Sequence, residues 1–389
     1  MPKRRGNQEG NIYFDRKRSL WVGDIMLGYR EVVDPATGEV RQKRNRLKFY
    51  GKQRREVQEK LAEVVSSRAA GTFVEPSKLT TGEWFRRWLT DYKKMRLRAK
   101  TYESYESMAR LYIIPSVGHI PLKELRPDHL QALYRRMKDA GKSARTIRYL
   151  HAILHAGLNQ ALQNGLVARN AADATKPPAQ EQKGVKILSP DEEHIFVEAL
   201  KEERLAAVFI LCLNAGLRRG EVLALKWDDV DFQRKEIRIK ASLSRTKETG
   251  IEVGAPKTKA SIRTVPLNSI AYRALREHKK QQNEEKLRLG DAYNNQGFVF
   301  ANELGGPIEP RNLERSFYRI INRTGLKINL HGLRHTFASR LIEKGADPKT
   351  VAELLGHTTV TMTLNSYTHP TSDRKREAVA LLAEGKEKG

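Results

Sequence analysis

Two polar, proline-containing stretches, GTFVEPSKL at 71–79 and ATKPPAQEQKG at 174–184, interrupt an otherwise patterned chain and mark where separately packed segments meet. They divide the 389 residues into three expected domains, 1–75, 78–175 and 185–389. In the first, GNIYFD, SLWVGDIML and RNRLKFYG alternate as strands do, separated by the turn-rich DRKRS and DPATGE, which predicts a three-stranded antiparallel sheet. A helix over about 53–70 follows, with Val57, Leu61 and Val64 or Val65 on one face. The second segment reads as all-α. Thr80 with Glu83 forms a capping box, and Trp84, Trp88 and Tyr92 recur at helical spacing. Further helices are expected at 101–112, ending before Pro115, at 127–139, ending at Gly141, and at 143–163 with Ile147, Leu150, Leu154 and Leu158 as a core stripe. Ser189, Pro190 and Glu192 supply an N-cap, an N1 proline and a capping-box acid that open the third segment. The expected class is a multidomain, mainly α chain with small sheets (α+β).

Charge narrows the partner. The chain carries a formal net charge of +26 and a pI near 10.0. Residues 1–66 hold 16 Lys and Arg against 9 Asp and Glu, residues 78–170 hold 18 against 7, and everything from 171 onward 37 against 29. So large an excess points to a polyanion, gripped mainly by the N-terminal half. In the helical segment Lys93, Lys94, Arg96, Arg98, Lys100, Lys142, Arg145 and Arg148 gather near helix ends and turns, where phosphates are readily met. The sheet, with Tyr13, Trp21 and basic residues at its strand edges, could enter a major groove; alternatively its aromatics pack on the following helix. Cys212 is the only cysteine, so no disulfide can form within the chain and a reducing cytoplasm is expected. The longest apolar run, 205–213, is far short of the roughly 20 residues that span a bilayer, and MPKRRGNQEG has no apolar stretch behind its charges, so neither a membrane span nor a signal peptide is expected.

The chemistry concentrates in 329–367, NLHGLRHTFASRLIEKGADPKTVAELLGHTTVTMTLNSY. His331, Arg334 and His335 fall on one helix, with Leu333, Phe337 and Leu341 as its apolar stripe; Gly345 closes it, Asp347 and Pro348 open another, and Gly356 ends that one just before His357. Val360, Leu364 and Tyr367 share a face of a last short helix, so Tyr367 is either a core residue or a nucleophile. A phenol attacks only when its proton, held near a pKa of about 10, is drawn away, and cations and imidazoles assist that. Upstream, AGLRRGEVLALKWDDVDF holds Arg218 in a turn, either for a ligand or simply to pair with Glu221. FQRKEIRIKASLSRT and PKTKASIRTVPL read as short strands, with Lys257 and Lys259 flanking Thr258 at a hairpin tip or edge. The His331–His335 spacing is that of a zinc helix, but the helix lacks the HExxH glutamate and no third acidic ligand stands nearby.

Taken together, GLRRGE, PKTKASIRTVPL, HGLRHTFAS, LGHTT and LNSYTH, in this order and spanning about 185–370, resemble the tyrosine recombinase (phage integrase) family. The helical segment is similar to that family's core-binding domain. The N-terminal sheet, through GNIYFD and LWV, resembles the arm-type DNA-binding domain of integrases from temperate phages and conjugative transposons. The resemblance implies that Tyr367 attacks a scissile phosphate to form a 3′-phosphotyrosyl link, while Arg218 and Arg334 hold the non-bridging oxygens. It implies Lys257, with Lys259 as the alternative, as the acid that protonates the leaving 5′ oxygen, His331 as a proton-transfer and positioning group, and His357 as a group that hydrogen-bonds the phosphate or orients Tyr367.

On this reading no metal or cofactor is needed, and religation needs no ATP because the covalent link stores the phosphodiester energy. The implied partners are double-stranded attachment sites, a homotetramer on DNA, and accessory excisionase and DNA-bending proteins, in a bacterial cytoplasm at the nucleoid. The C-terminal stretch PTSDRKREAVALLAEGKEKG carries a short amphipathic pattern at Ala378, Leu381 and Leu382, for docking in trans or folding back in cis. A catalytically silent DNA-binding regulator and a type IB-like topoisomerase are the competing readings; the intact residue set speaks against the first and the extra N-terminal segment against the second.

Overall fold

The computed structural model describes residues 10–33, 39–70, 73, 78–180, 186–256 and 258–367; for Arg30, Val32, Val33, Lys259, Met362 and 365–367 it describes the backbone alone. Two compact units emerge, one comprising 1–96 and 104–180, the other 97–103 and 181–389.

The first unit begins with the expected antiparallel sheet, β1 (Asn11–Asp15), β2 (Leu20–Val33) and β3 (Val40–Gly51), in the order β1-β2-β3. Its first turn is closed by the Asp15 carboxylate, which accepts the backbone N–H groups of Lys17 and Arg18. Helix α1 (Arg54–Ala69) packs on one face through Val57 and Leu61. The approach is close enough that a Cβ on Gly23 would lie 2.7 Å from Val57 Cγ1. The sheet aromatics divide. Trp21 stands on the helix side with the Arg54 guanidinium 5.7 Å from its ring, whereas Tyr13, Val22 and Tyr50 are directly opposed on the other face and bury Val22 between two partly exposed tyrosines.

The helical segment that follows comprises α2 (Thr81–Trp88), α3 (Ala99–Met108), which the division between the units crosses after 103, α4 (Ile114–Val117), α5 (Pro127–Asp139) and α6 (Ala144–Gln163). The Thr80–Glu83 capping box is present, and Trp84, Phe85 and Trp88 are fully buried with the Ile147, Leu150, Leu154 and Leu158 stripe. Trp84 Nε1 donates to the Gly157 carbonyl at 2.9 Å, at a point where α6 has only a glycine against Phe85. One expectation is corrected: the chain does not leave helical structure before Pro115. A π-helical turn over Ala109–Ile113 leads into α4, so Pro115 lies in a first turn, where its missing N–H costs no intrahelical bond.

In the second unit, helices α7 (Pro190–Glu198), α8 (Ala206–Asn214) and α9 (Arg219–Ala224) precede strands β4 (Val230–Asp231), β5 (Glu236–Ile239), β6 (Ser242–Thr246), β7 (Gly250–Gly254) and β8 (Arg263–Pro266). Then come α10 (Ser269–Leu289), α11 (Pro310–Thr324), α12 (Leu330–Glu343), α13 (Pro348–Leu355) and α14 (Val360–Tyr367). β5 pairs with β4 and β8, bringing Ile237 and Val265 together in the core, while β6 and β7 form a separate hairpin. That hairpin turns at 247–249, so Thr258 lies in the connection from β7 to β8 and not at a hairpin tip. Helix α8 is apolar almost all round and buried accordingly, Phe209 meeting Phe196 edge-on and Phe317 at a tilt. Thr336 of α12 accepts the Leu188 N–H, and Arg340 reaches Glu193 and the Leu188 carbonyl, which fixes α12 to the start of this unit. Among the described residues no helix is long and apolar enough to cross a membrane.

Candidate active site

The site grows from the turn between α8 and α9. Gly216 adopts φ +63°, and a Cβ there would come within 2.5 Å of Phe337, so glycine alone suits the turn. Two residues on, Arg218 is the N-cap of α9. Glu221 completes a capping box back to it, accepting the Arg218 N–H at 2.9 Å and its Nη1 at 2.7 Å. Both readings of Arg218 therefore coexist: it is paired with Glu221, and its side chain remains 32% exposed.

Glu221 is buried and serves more than one arginine. Arg263, at the start of β8, donates Nη1 and Nη2 to its two oxygens at 3.1 and 3.0 Å, and Arg334 Nη1 stands 3.9 Å away. Burial alone would raise the Glu221 pKa, but the hydrogen bonds and charge of Arg263, joined by Arg218, outweigh it and bring the value down to about 2. The same three arginines converge on the C-terminus of α13. Arg263 Nε donates to the Leu354 carbonyl at 2.6 Å, Arg334 Nη2 to that of Leu355 at 2.5 Å, and Arg218 Nη2 to that of Gly356 at 3.0 Å. Helix C-termini leave such carbonyls without intrahelical donors and attract cations, so both needs are met at once. Arg334 also donates Nη1 to the Gly216 carbonyl at 2.6 Å and is only 1% exposed. Arg334 is thus the buried floor of the site and Arg218 its open rim.

Three imidazoles surround this cationic centre. His331, in the first turn of α12, stands edge-on to His335 with ring centroids 4.6 Å apart. Its ring is open to solvent on one side, yet the surrounding protein, then Arg334 and Arg218, lower its pKa. Burial, His331 and Arg334 bring His335 down to about 4. His357 follows the left-handed cap Gly356 (φ +61°); burial, then Arg334, Arg218, His335 and Arg263, hold it at about 4. All three are therefore neutral at pH 7 and available as hydrogen-bond donors or proton acceptors. His357 Nδ1 lies 2.8 Å from Thr363 Oγ1 on α14.

Four of the six residues expected to act, Arg218, His331, Arg334 and His357, are therefore assembled in one place. Lys257 lies outside the described residues, as does the side chain of the alternative, Lys259. Tyr367 is the last residue of α14, and its side chain too lies outside them. On the face expected for α14, Leu364 is 37% exposed, and the fully buried residue is Thr363, one turn before Tyr367. Among the described residues no group of three or more His, Cys, Asp or Glu is placed to hold a metal ion. Sequence reasoning overlooked Arg263 and Thr363. The only sign of the first was a charged residue opening the strand RTVP, and the second had none beyond its helical spacing from Tyr367.

Comparison with known proteins places this geometry. The sequence profile of the phage integrase family matches residues 186–374, and that of the N-terminal SAM-like domain of phage integrases matches 80–138. A XerC-like tyrosine recombinase of Caldanaerobacter subterraneus subsp. tengcongensis is 36% identical over 357 residues, 87% of this chain and 91% of that protein. An integrase of Streptomyces ambofaciens is 26% identical over 94% of each chain. Among solved structures, the Tn1549 transposon integrase in complex with a circular intermediate DNA superposes with a TM-score of 0.67 over 78% of this chain and 99% of that one, at 22% identity. A lambda integrase tetramer bound to a Holliday junction gives 0.57 over 95% and 98%, at 19% identity. At these identities the structural likeness speaks for the fold. With more than a third of its residues shared across nearly the whole of the XerC-like relative, the chain belongs to the tyrosine recombinase (phage integrase) family and is a tyrosine-type site-specific DNA recombinase.

Proposed function

We propose that this recombinase integrates and excises a mobile element or prophage, using Tyr367 as nucleophile and Arg218, Lys257, His331, Arg334 and His357 as its catalytic set. The observation that carries the reading is the convergence of Arg218 and Arg334 on the C-terminus of α13, beside three neutral imidazoles, with the Tyr367-bearing helix α14 starting three residues after His357. The Tyr367 oxygen attacks the phosphorus, the 5′ oxygen leaves, and the bond formed is a 3′-phosphotyrosyl ester that conserves the phosphodiester energy for religation. Fixed guanidinium charges suit the oxygens of a crowded phosphorane, because they are held in place before the charge develops. Arg218 presents its exposed edge to a non-bridging oxygen, and Arg334 supplies charge from beneath. A neutral His331 accepts or relays the phenolic proton, His357 donates to the phosphate, and Lys257, with Lys259 as the alternative, protonates the leaving oxygen.

The rest of the reading takes the chain as three parts, 1–75, 78–175 and 185–389. The sheet segment serves as an arm-type DNA-binding domain, its outward Tyr13 and Tyr50 face available to a groove, and the helical segment clamps the core site with the catalytic domain. A homotetramer on paired attachment sites, with excisionase and a DNA-bending protein setting direction, is in keeping with the tetramer seen for lambda integrase. A nicked suicide duplex carrying the element's attachment site tests the chemistry. Wild type is expected to leave a covalent protein–DNA adduct and Tyr367→Phe none; adduct that persists in the variant removes Tyr367 from its role.

A further inference from the structure

Thr363 is 0% exposed on a short helix, and a buried threonine hydroxyl in a helix ordinarily satisfies itself by bonding a carbonyl one turn back. Here the described residues give Oγ1 a single partner, Nδ1 of His357, at 2.8 Å. That exclusivity sets the direction of the bond. If His357 donated Nδ1–H to Oγ1, the hydroxyl proton would be buried with no acceptor among the described residues, a loss that buried polar groups rarely sustain. The hydroxyl therefore donates to Nδ1. In the neutral ring the remaining proton is then on Nε2, which has no hydrogen-bond partner among the described residues.

We propose that Thr363 is a positioning residue of the recombinase: its hydroxyl holds the His357 ring in the Nε2–H tautomer and ties its orientation to helix α14, so that the phosphate-facing donor and the nucleophile helix move as one. The inference rests on reading His357 as a phosphate ligand. Thr363 and Tyr367 are four residues apart, on one stripe of α14, so a shift that delivers position 367 also carries the hydroxyl that aims His357. The ring is thereby set by the element that brings the nucleophile, and a helix out of place would leave the phosphate without a correctly turned imidazole.

The test combines nitrogen NMR with cleavage kinetics on the full-length protein. In ¹⁵N-histidine-labelled wild type at neutral pH, the His357 signal, assigned by its loss in His357→Gln, is expected to show a protonated Nε2 and a bare Nδ1; the opposite tautomer overturns the proposal without any variant at 363. Thr363→Val, which keeps the shape but not the hydroxyl, is expected to mix the tautomers and to slow adduct formation on the suicide duplex about tenfold, with DNA affinity unchanged. Thr363→Ser is expected to restore both the tautomer and the rate to within about twofold. If Thr363→Val cleaves as fast as wild type while His357→Gln is slow, Thr363 has no positioning role. If His357→Gln itself cleaves at the wild-type rate, the reading of His357 fails and this inference with it.

Discussion

Arginine and lysine stand in two different settings in this chain, and the contrast lies between the helical segment and the candidate active site. Lys142, Arg145 and Arg148 stand on the surface near the start of α6. Arg263 and Arg334 are buried, with side chains 7% and 2% exposed, and share Glu221 with the half-open Arg218. A surface cation exchanges a counterion for a phosphate, and its effect fades with salt. A buried one is part of the fold: its place is set by carbonyls and a carboxylate before any substrate arrives, and removing its partner leaves a charge with nowhere to go. Net charge alone hides this, since both kinds count equally towards +26.

The contrast can be broken in several ways. The largest effect is expected from Arg218→Ala, where the rim cation is lost from the reacting phosphate: adduct formation should fall about 10²–10³-fold, with DNA affinity changing far less. A parallel drop in affinity and rate would make Arg218 an ordinary DNA contact. Glu221→Gln should then destabilise the second unit by about 3–5 kcal/mol in urea denaturation, because Arg263 and Arg334 keep their charges in a buried site without a counter-ion. A loss under about 1 kcal/mol would show that the α13 carbonyls alone hold the arginines.

Acid probes the same carboxylate more gently. The folded pKa of Glu221, about 2, lies below the ordinary 4.5, so its contribution is complete above roughly pH 4.5 and is lost as pH falls towards 2. Wild type should lose on the order of 3 kcal/mol more than Glu221→Gln across that window, as read from urea midpoints at successive pH values. The smallest effects belong to the surface. Alanine at Lys142, Arg145 or Arg148 should each lower the salt dependence of DNA binding by up to about one counterion and leave stability within about 0.5 kcal/mol. A larger stability loss would mean that these residues, too, are structural.

What was legible in the sequence follows the range of the interaction that decides it. The capping boxes at Thr80–Glu83 and Ser189–Glu192 close within four residues, so both could be read and both are present. Gly216, Gly345 and Gly356 could be read as helix breakers, and each adopts positive φ. The continuation past Pro115 could not, because a π turn is a response to packing rather than to a local residue preference. Nor could the burial of Thr363. Apolar spacing on α14 favoured Val360, Leu364 and Tyr367, but the polar residue beside them is the one packed inward, where its hydroxyl meets Nδ1 of His357 in the preceding segment. Arg263 escaped for a similar reason: its meaning depends on Glu221, 42 residues away, and on a carbonyl 91 residues away.

The consecutive carbonyls of Leu354, Leu355 and Gly356 each receive a different arginine, from β8, α12 and the α8–α9 turn. Helix α13 is in this sense a ruler. Its start is pinned by Asp347 and its end is graduated in guanidinium groups, so inserting or deleting one residue within 348–356 would rotate the last turn by about 100° and offer every arginine the wrong carbonyl. His357 would be displaced in the same stroke. A segment whose side chains include several replaceable ones is thereby intolerant of any change in length.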